Sequence, residues 1–264
     1  LSSAPVGIYD SGVGGLSVLR EIEAALPAES IAYVADSANA PWGDKPPGFV
    51  RERGLKLARF LVEQGVKAIV IASNTGTAGS AEAVRGALSV PVVGIEPGIK
   101  PAVAATKTRV IGAIVPAAVS ESDRLASLLD RFGIDVKVIV QPVPGLVEFI
   151  EAADLDSPEL KRKVEGYVRP MLDAGADTIV LGSTHYVFLK QVLTELAGPQ
   201  VSLIETGAAV ARQLGRVLGE RGLLAEDGRG RERFWTSADP ATSERVISRL
   251  LGRHVSVEKL PAGV

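Results

Sequence analysis

Two short stretches place residues able to do chemistry at the end of an apolar run. Residues 68–77, AIVIASNTGT, and 178–186, TIVLGSTHY, each begin with a β-branched run and end in a small residue followed by hydroxyl and amide side chains. The pattern predicts two buried strands, each delivering a serine, Ser73 or Ser183, to its carboxyl end. The same device in both halves of the chain predicts two related half-domains facing one another across a cleft, a site with two opposed faces. Beside the serines the cleft is expected to collect Asp10, Ser11, Asn74, Thr75, Thr184 and His185. These are hydrogen-bonding groups suited to a small zwitterion or a dicarboxylic acid, and they imply no large cofactor.

Ser183, His185 and Asp10 also supply the residue types of a Ser–His–Asp hydrolase. Two features argue against that reading. The chain has no GxSxG elbow, and residues two apart on a strand end or helical turn face different ways. Taken alone, His185 reads equally as a satisfied structural histidine or as an acid or base. Glu148 and Glu151, on a helix after VPGL, read more readily as solvated carboxylates than as catalytic ones.

The elements that must position these residues alternate. Residues 6–9 form a short strand leading into Asp10, Ser11 and GVGG, and LSVLREIEAAL then has helical apolar spacing. That Gly-rich turn either offers backbone N–H groups to an anion or simply makes a tight strand-to-helix turn. A strand over 31–35 ends in Asp36. The loop SANAPWGDKPPG follows, with Trp42 as a packing anchor or a pocket wall. A helix over 50–64, the Ser73 strand, a helix near 79–88 and a strand over 92–96 complete the first half. EPGIKP at 96–101 reads as a crossing point. The second half repeats the pattern, with strands over 109–115, 136–140, 178–182 and 201–204 and helices near 123–132 and 158–174. A helix over 208–221, a strand over 234–237 and a closing helix return to the first domain. Alternating strands and helices with near-continuous apolar strands predict an α/β fold: two doubly wound, mostly parallel sheets. The expected domains are 1–97 with 207–264, and 98–206, with ligands bound outside the carboxyl ends of the strands.

Composition narrows the function further. With 46% hydrophobic and 23% charged residues, the 264-residue chain can build sizeable cores. The net charge of −2, with scattered Lys and Arg, excludes the basic stripe of a nucleic-acid binder. No apolar run spans a bilayer and no signal-peptide pattern is visible at the start, so no membrane role is expected and the cytoplasm is the expected compartment. The absence of cysteine excludes thiol catalysis and thiolate metal sites. Two histidines, and no carboxylate cluster at ligand spacing, predict no metal.

DSGVGGLSVL at 10–19, PWG at 41–43, SNT at 73–75 and STHY at 183–186 stand in an order and at separations that strongly resemble glutamate racemase, over nearly the whole chain. In that family, part of the aspartate/glutamate racemase superfamily, the motifs read DSGVGG, PYG, CNT and CTHYP. Two cysteines act as opposed acid and base on the substrate α-carbon, without a cofactor, to supply D-glutamate for peptidoglycan. The resemblance implies that Ser73 and Ser183 occupy the two acid–base positions, with Asp10 and His185 as auxiliary groups and Glu151 as the family's acidic residue. It implies that Ser11, Pro41, Trp42, Gly43, Asn74, Thr75 and Thr184 hold the amino acid, and that the protein forms a homodimer.

The departures gather at the site. Serine replaces both cysteines, VPAAVS puts Pro116 and Val119 where substrate-gripping hydroxyls are expected, and Val143, Val187 and Trp42 replace cysteine, proline and tyrosine. Such a concentration predicts an engineered or impaired racemase of very low native activity. The alternative is a cleft repurposed for a more apolar small acid.

Overall fold

The computed structural model describes residues 3–133, 135–226, 228 and 230–264. The chain divides into two compact units, Leu1–Ile95 with Gly207–Val264, and Glu96–Thr206. The first unit opens with β1 (Val6–Asp10), α1 (Leu16–Ala25), β2 (Ile31–Ala35), α2 (Pro47–Glu63), β3 (Ala68–Ile71), α3 (Asn74–Ala87) and β4 (Val92–Val93). The second unit contains α4 (Ile99–Ala105), β5 (Val110–Val115), α5 (Ala117–Ser120), α6 (Asp123–Phe132), β6 (Lys137–Pro142), α7 (Val147–Glu151), α8 (Pro158–Asp173), β7 (Thr178–Leu181), α9 (Lys190–Ala197) and β8 (Ser202–Ile204). The chain then returns to the first unit with α10 (Gly207–Glu220), β9 (Glu232–Thr236), α11 (Pro240–Leu251) and β10 (Val257–Lys259).

The expected α/β class with two parallel sheets is what the chain forms. In the first unit the strand order is β10-β9-β2-β1-β3-β4, and every neighbouring pair is parallel. The second unit has the order β6-β5-β7-β8, again all parallel. All five residues of β1 are buried, as a strand covered on both faces requires. Leu57, Phe60 and Leu61 of α2 and Ala81 and Val84 of α3 pack with Tyr9, Ile69 and Ile71 in one core. Ile99 and Ala102 of α4 and Leu125 and Leu128 of α6 pack with Ile111, Ala113 and Val115 in the core of the other unit. Among the described residues no helix is long and apolar enough to cross a membrane.

The helix expected near 79–88 starts five residues earlier, at Asn74, directly after Ser73. Its first turns, NTGTAG, are poor helix formers, each glycine costing roughly 1 kcal/mol against alanine. Packing decides the matter. A Cβ at Gly79 would lie 2.5 Å from Val50 Cγ1, and one at Gly54 would lie 2.4 Å from Ser80 Cβ, so small residues let α2 and α3 approach closely. The Ser73 hydroxyl completes the start by accepting the Gly76 N–H at 3.1 Å, an N-cap of the usual kind. Helix α2 also begins early, with Pro47 in its first turn, where a missing N–H costs nothing.

Other differences lie where the pattern is short. The strand expected over 92–96 is only Val92–Val93. The stretch read as a crossing point leads into α4, and α9 and β10 had no counterpart in the expectation. Strand β10, three residues paired to β9 at the sheet edge, leaves Glu258 and Lys259 exposed and so carries no apolar alternation to detect.

Candidate active-site halves

In the first unit, Asp10 ends β1 and Ser73 follows β3, its sheet neighbour, with Tyr9 paired to Ile71. The Gly15 N–H donates to Asp10 Oδ2 at 2.7 Å, and Ser11 Oγ donates to Oδ1 at 3.3 Å. A Cβ at Gly15 would meet Asp10 Cβ, Ala72 Cβ and Tyr33 Oη, each at 2.8 Å. The Gly-rich stretch is therefore a tight turn folded around its own carboxylate, and the Gly15 N–H is committed to Asp10. Ser73 is buried, and Asn74 and Thr75 are half-buried in the first turn of α3. Among the described residues no histidine or carboxylate is hydrogen-bonded to Ser73 Oγ, whose recorded partner is the Gly76 N–H.

The PWG loop hangs from Asp36 at the end of β2. Asp36 Oδ2 accepts from Trp42 Nε1 at 3.0 Å and Arg53 Nε at 2.8 Å, and Oδ1 accepts from Arg53 Nη2 at 2.6 Å and Asn39 Nδ2 at 3.0 Å. A fully buried carboxylate is tolerated because a bidentate guanidinium and two further donors saturate it. Trp42 is 1% exposed, with its ring centroid 6.4 Å from that of Tyr9, so the indole is a packing anchor. Pro41 and Gly43 flank it half-buried. Sequence reasoning passed over Asp36 and Arg53 as a pair. The available signal was Arg53 lying between Val50 and Leu57 on the buried face of α2. Behind Ser73, Tyr9 Oη and Ser80 Oγ are 2.9 Å apart and Ser80 Oγ donates to the Gly76 carbonyl at 2.7 Å. Burial pushes the Tyr9 phenol above its ordinary range despite the Ser80 bond, so it stays neutral.

In the second unit, Ser183 follows β7, which pairs with β5. The chain passes from extended backbone at Ser183 straight into a 3₁₀ turn, Thr184–Leu189. That turn overrides the expectation that Ser183 and His185, two residues apart, face different ways. Ser183 Oγ accepts the His185 backbone N–H at 3.3 Å and lies 3.4 Å from His185 Nδ1. On the far side of the ring, Nε2 lies 2.6 Å from Oε1 of Glu151, the last residue of α7. The carboxylate only accepts, so it holds a proton on Nε2, and in the neutral ring the Nδ1 lone pair then faces the Ser183 hydroxyl.

The residues considered for a Ser–His–Asp set are thus regrouped: Glu151 is the carboxylate on His185, and Asp10 serves the turn of the first unit. Glu148, one helical turn before Glu151, is exposed, while Thr184 is buried beside Ser183. Tyr186 is fully buried, and burial, followed by Glu148 and Tyr167, raises its phenol above the ordinary range. Val119, where a hydroxyl was expected, packs in the second core with Ile99 and Leu125, and Val143 is buried. Among the described residues no group of three or more His, Asp or Glu side chains is placed to hold a metal ion.

Comparison with known proteins fits this arrangement. The Asp/Glu/Hydantoin racemase family profile matches residues 11–214. The glutamate racemase of Pseudomonas entomophila (strain L48) is 51% identical over 261 residues, covering 98% of each chain. A glutamate racemase isoform of Bacillus anthracis superposes with a TM-score of 0.88 at 32% identity, covering 99% of this chain and 98% of that one. The Escherichia coli glutamate racemase, solved with L-glutamate and the activator UDP-MurNAc-ala, superposes with a TM-score of 0.86 at 28% identity over 97% of this chain and 98% of that one. By the extent of these matches, the chain belongs to the Asp/Glu/Hydantoin racemase family and, within it, to the glutamate racemases.

Proposed function

We propose that this protein interconverts L- and D-glutamate without a cofactor, with Ser183 and Ser73 in the two acid–base positions and at a rate far below that of a cysteine enzyme. The observation that carries the reading is the Ser183–His185–Glu151 relay at the end of one strand, matched by Ser73 at the end of another, in a chain half-identical to glutamate racemases. Racemisation needs a proton removed from one face of the α-carbon and another delivered to the opposite face, and each unit supplies one hydroxyl for that work. Ser183 passes its own proton to His185 Nδ1 as it takes the α-proton, and the reverse transfer returns a proton to the carbanion. Ser73 has no such base and is the slow partner.

Asp10, Ser11, Pro41, Trp42, Gly43, Asn74, Thr75 and Thr184 bind and orient the amino acid in this reading, Trp42 through its backbone because its indole is held by Asp36. In this reading the product serves peptidoglycan synthesis in the cytoplasm, and the resemblance points to a homodimer.

An alcohol is a far weaker acid than a thiol of pKa about 8.5, which is why the serine form is slow. Replacing both, Ser73→Cys with Ser183→Cys, is expected to raise glutamate racemisation by about 10²- to 10⁴-fold, followed by polarimetry at matched protein concentration. A double variant that binds glutamate and racemises it no faster than the parent would sink the assignment of these two positions.

A further inference from the structure

We infer a second activity for Ser183: acyl transfer from small activated esters. This goes beyond the racemase reading and does not depend on it. Ser183 Oγ, His185 and Glu151 form a continuous relay, at 3.4 Å and 2.6 Å, within a single unit. The side chains of His185 and Glu151 are 5% and 17% exposed, so the relay is largely shielded from water. A histidine whose far nitrogen is held by a carboxylate and whose near nitrogen faces a serine hydroxyl is the arrangement that activates serine as a nucleophile on several unrelated folds. Here the ring is turned about: Nδ1 faces the serine and Nε2 the carboxylate. That exchange leaves the proton relay intact. The 3.4 Å separation exceeds a tight hydrogen bond, as such pairs often do before substrate closes on them.

The chemistry balances within the chain and one ester. Ser183 Oγ attacks the acyl carbon and its proton passes to His185 Nδ1. The bond from the acyl carbon to the leaving oxygen then breaks, and the leaving alcohol takes that proton unless it departs as a stable anion. The product is an acyl ester on Ser183; where the leaving group departs as an anion, the imidazolium gives its proton to solvent. The freed Nδ1 then takes a proton from water as it attacks the acyl carbon and returns it to Ser183 Oγ as the ester bond breaks. Ser73 provides the internal reference, because it is also a buried strand-end serine and among the described residues has no histidine or carboxylate on its hydroxyl. A positioned general base contributes about 10² to 10⁴ in rate, which sets the expected contrast between the two serines.

The test uses the full chain and p-nitrophenyl acetate, whose acyl group is small enough for a largely buried hydroxyl. Nitrophenolate release is followed, and after rapid quenching the acetyl group is located by peptide mass spectrometry. Acetylation of the Ser183 peptide at least about 10²-fold faster than of the Ser73 peptide, lost in Ser183→Ala and slowed about 10²-fold in Glu151→Gln, is the expected result. Equal labelling of the two serine peptides, or a rate indifferent to Glu151→Gln, would overturn the inference. The peptide comparison is made in the unaltered chain and holds even if a variant misfolds. Racemase activity has no bearing on either outcome.

Discussion

The ends of β3 and β7 look alike in sequence and differ in what surrounds them. Ser73 is built into a scaffold: it caps α3, while Asp36, Arg53 and Trp42 fix the loop nearby and Tyr9 and Ser80 brace the helix. Ser183 is built into a relay: it heads a short 3₁₀ turn that brings His185 onto its hydroxyl and Glu151 behind the ring. A serine at a strand end is therefore not by itself a reactive serine. Both hydroxyls accept a backbone N–H from the turn that follows. The difference is that the 3₁₀ turn after Ser183 also brings the His185 ring against the hydroxyl, whereas among the described residues the α-helix after Ser73 brings no side-chain base.

The sharpest way to break this comparison is to remove one carboxylate from each end. Asp36→Asn leaves the Arg53 guanidinium buried without its counter-charge and is expected to cost about 3–5 kcal/mol of stability, read from denaturant unfolding. Glu151→Gln is expected to cost roughly 1 kcal/mol while lowering proton transfer at Ser183 by about 10²-fold. If the two variants exchange these effects, the assignment of scaffold and relay is reversed.

A smaller contrast concerns the caps. Ser73→Ala removes the N-cap of a 14-residue helix, and the expected loss is about 1 kcal/mol. Ser183→Ala, heading a six-residue 3₁₀ turn, is expected to shift thermal unfolding less, because fewer hydrogen bonds depend on it. An equal shift for both would show that the two serines are structurally equivalent.

The units also differ in acid–base balance. Burial, then the hydrogen bond and charge of Glu23, push the Glu232 carboxyl of the first unit up to about 7 against the opposing pull of Arg253. A raised folded value means that the protonated form is favoured in the native state. The stabilisation is full below the ordinary glutamate range and is lost as pH rises through about 7. In the second unit, burial raises Asp177, but bonds from Thr106 Oγ1, the Lys107 and Thr108 N–H groups and Thr178 Oγ1 outweigh it and hold the carboxyl well below its usual range. Its stabilisation is present at neutral pH and is lost as pH falls below about 4. Hydrogen exchange of each unit's strands from pH 4 to 8 checks the first slope, and Glu232→Gln should flatten it. Asp177→Asn should cost roughly 1–3 kcal/mol at neutral pH, and the difference between parent and variant should close as pH falls below about 4.

Much of the fold and half of the site were legible in the sequence. The apolar runs before Ser73 and Ser183 gave both strands because parallel strands buried on both faces need nothing else. The start of α3 was hidden because its glycines serve the contact with α2 and read locally as helix breakers. Ser183 and His185 were assigned to different faces because strand alternation was extended one step too far, into a 3₁₀ turn. No local pattern announces that Glu151, 34 positions before His185, lies on its ring. The resemblance to glutamate racemase supplied that residue, and geometry supplied its partner.

The most direct measurement is solvent deuterium incorporation at the α-carbon of L- and of D-glutamate, each incubated separately with concentrated protein in heavy water and followed by NMR. With a relay behind Ser183 and none behind Ser73, one enantiomer is expected to exchange about 10²-fold faster than the other, and Ser183→Ala should abolish that exchange. Equal rates from both enantiomers, or exchange that survives Ser183→Ala, would contradict the account.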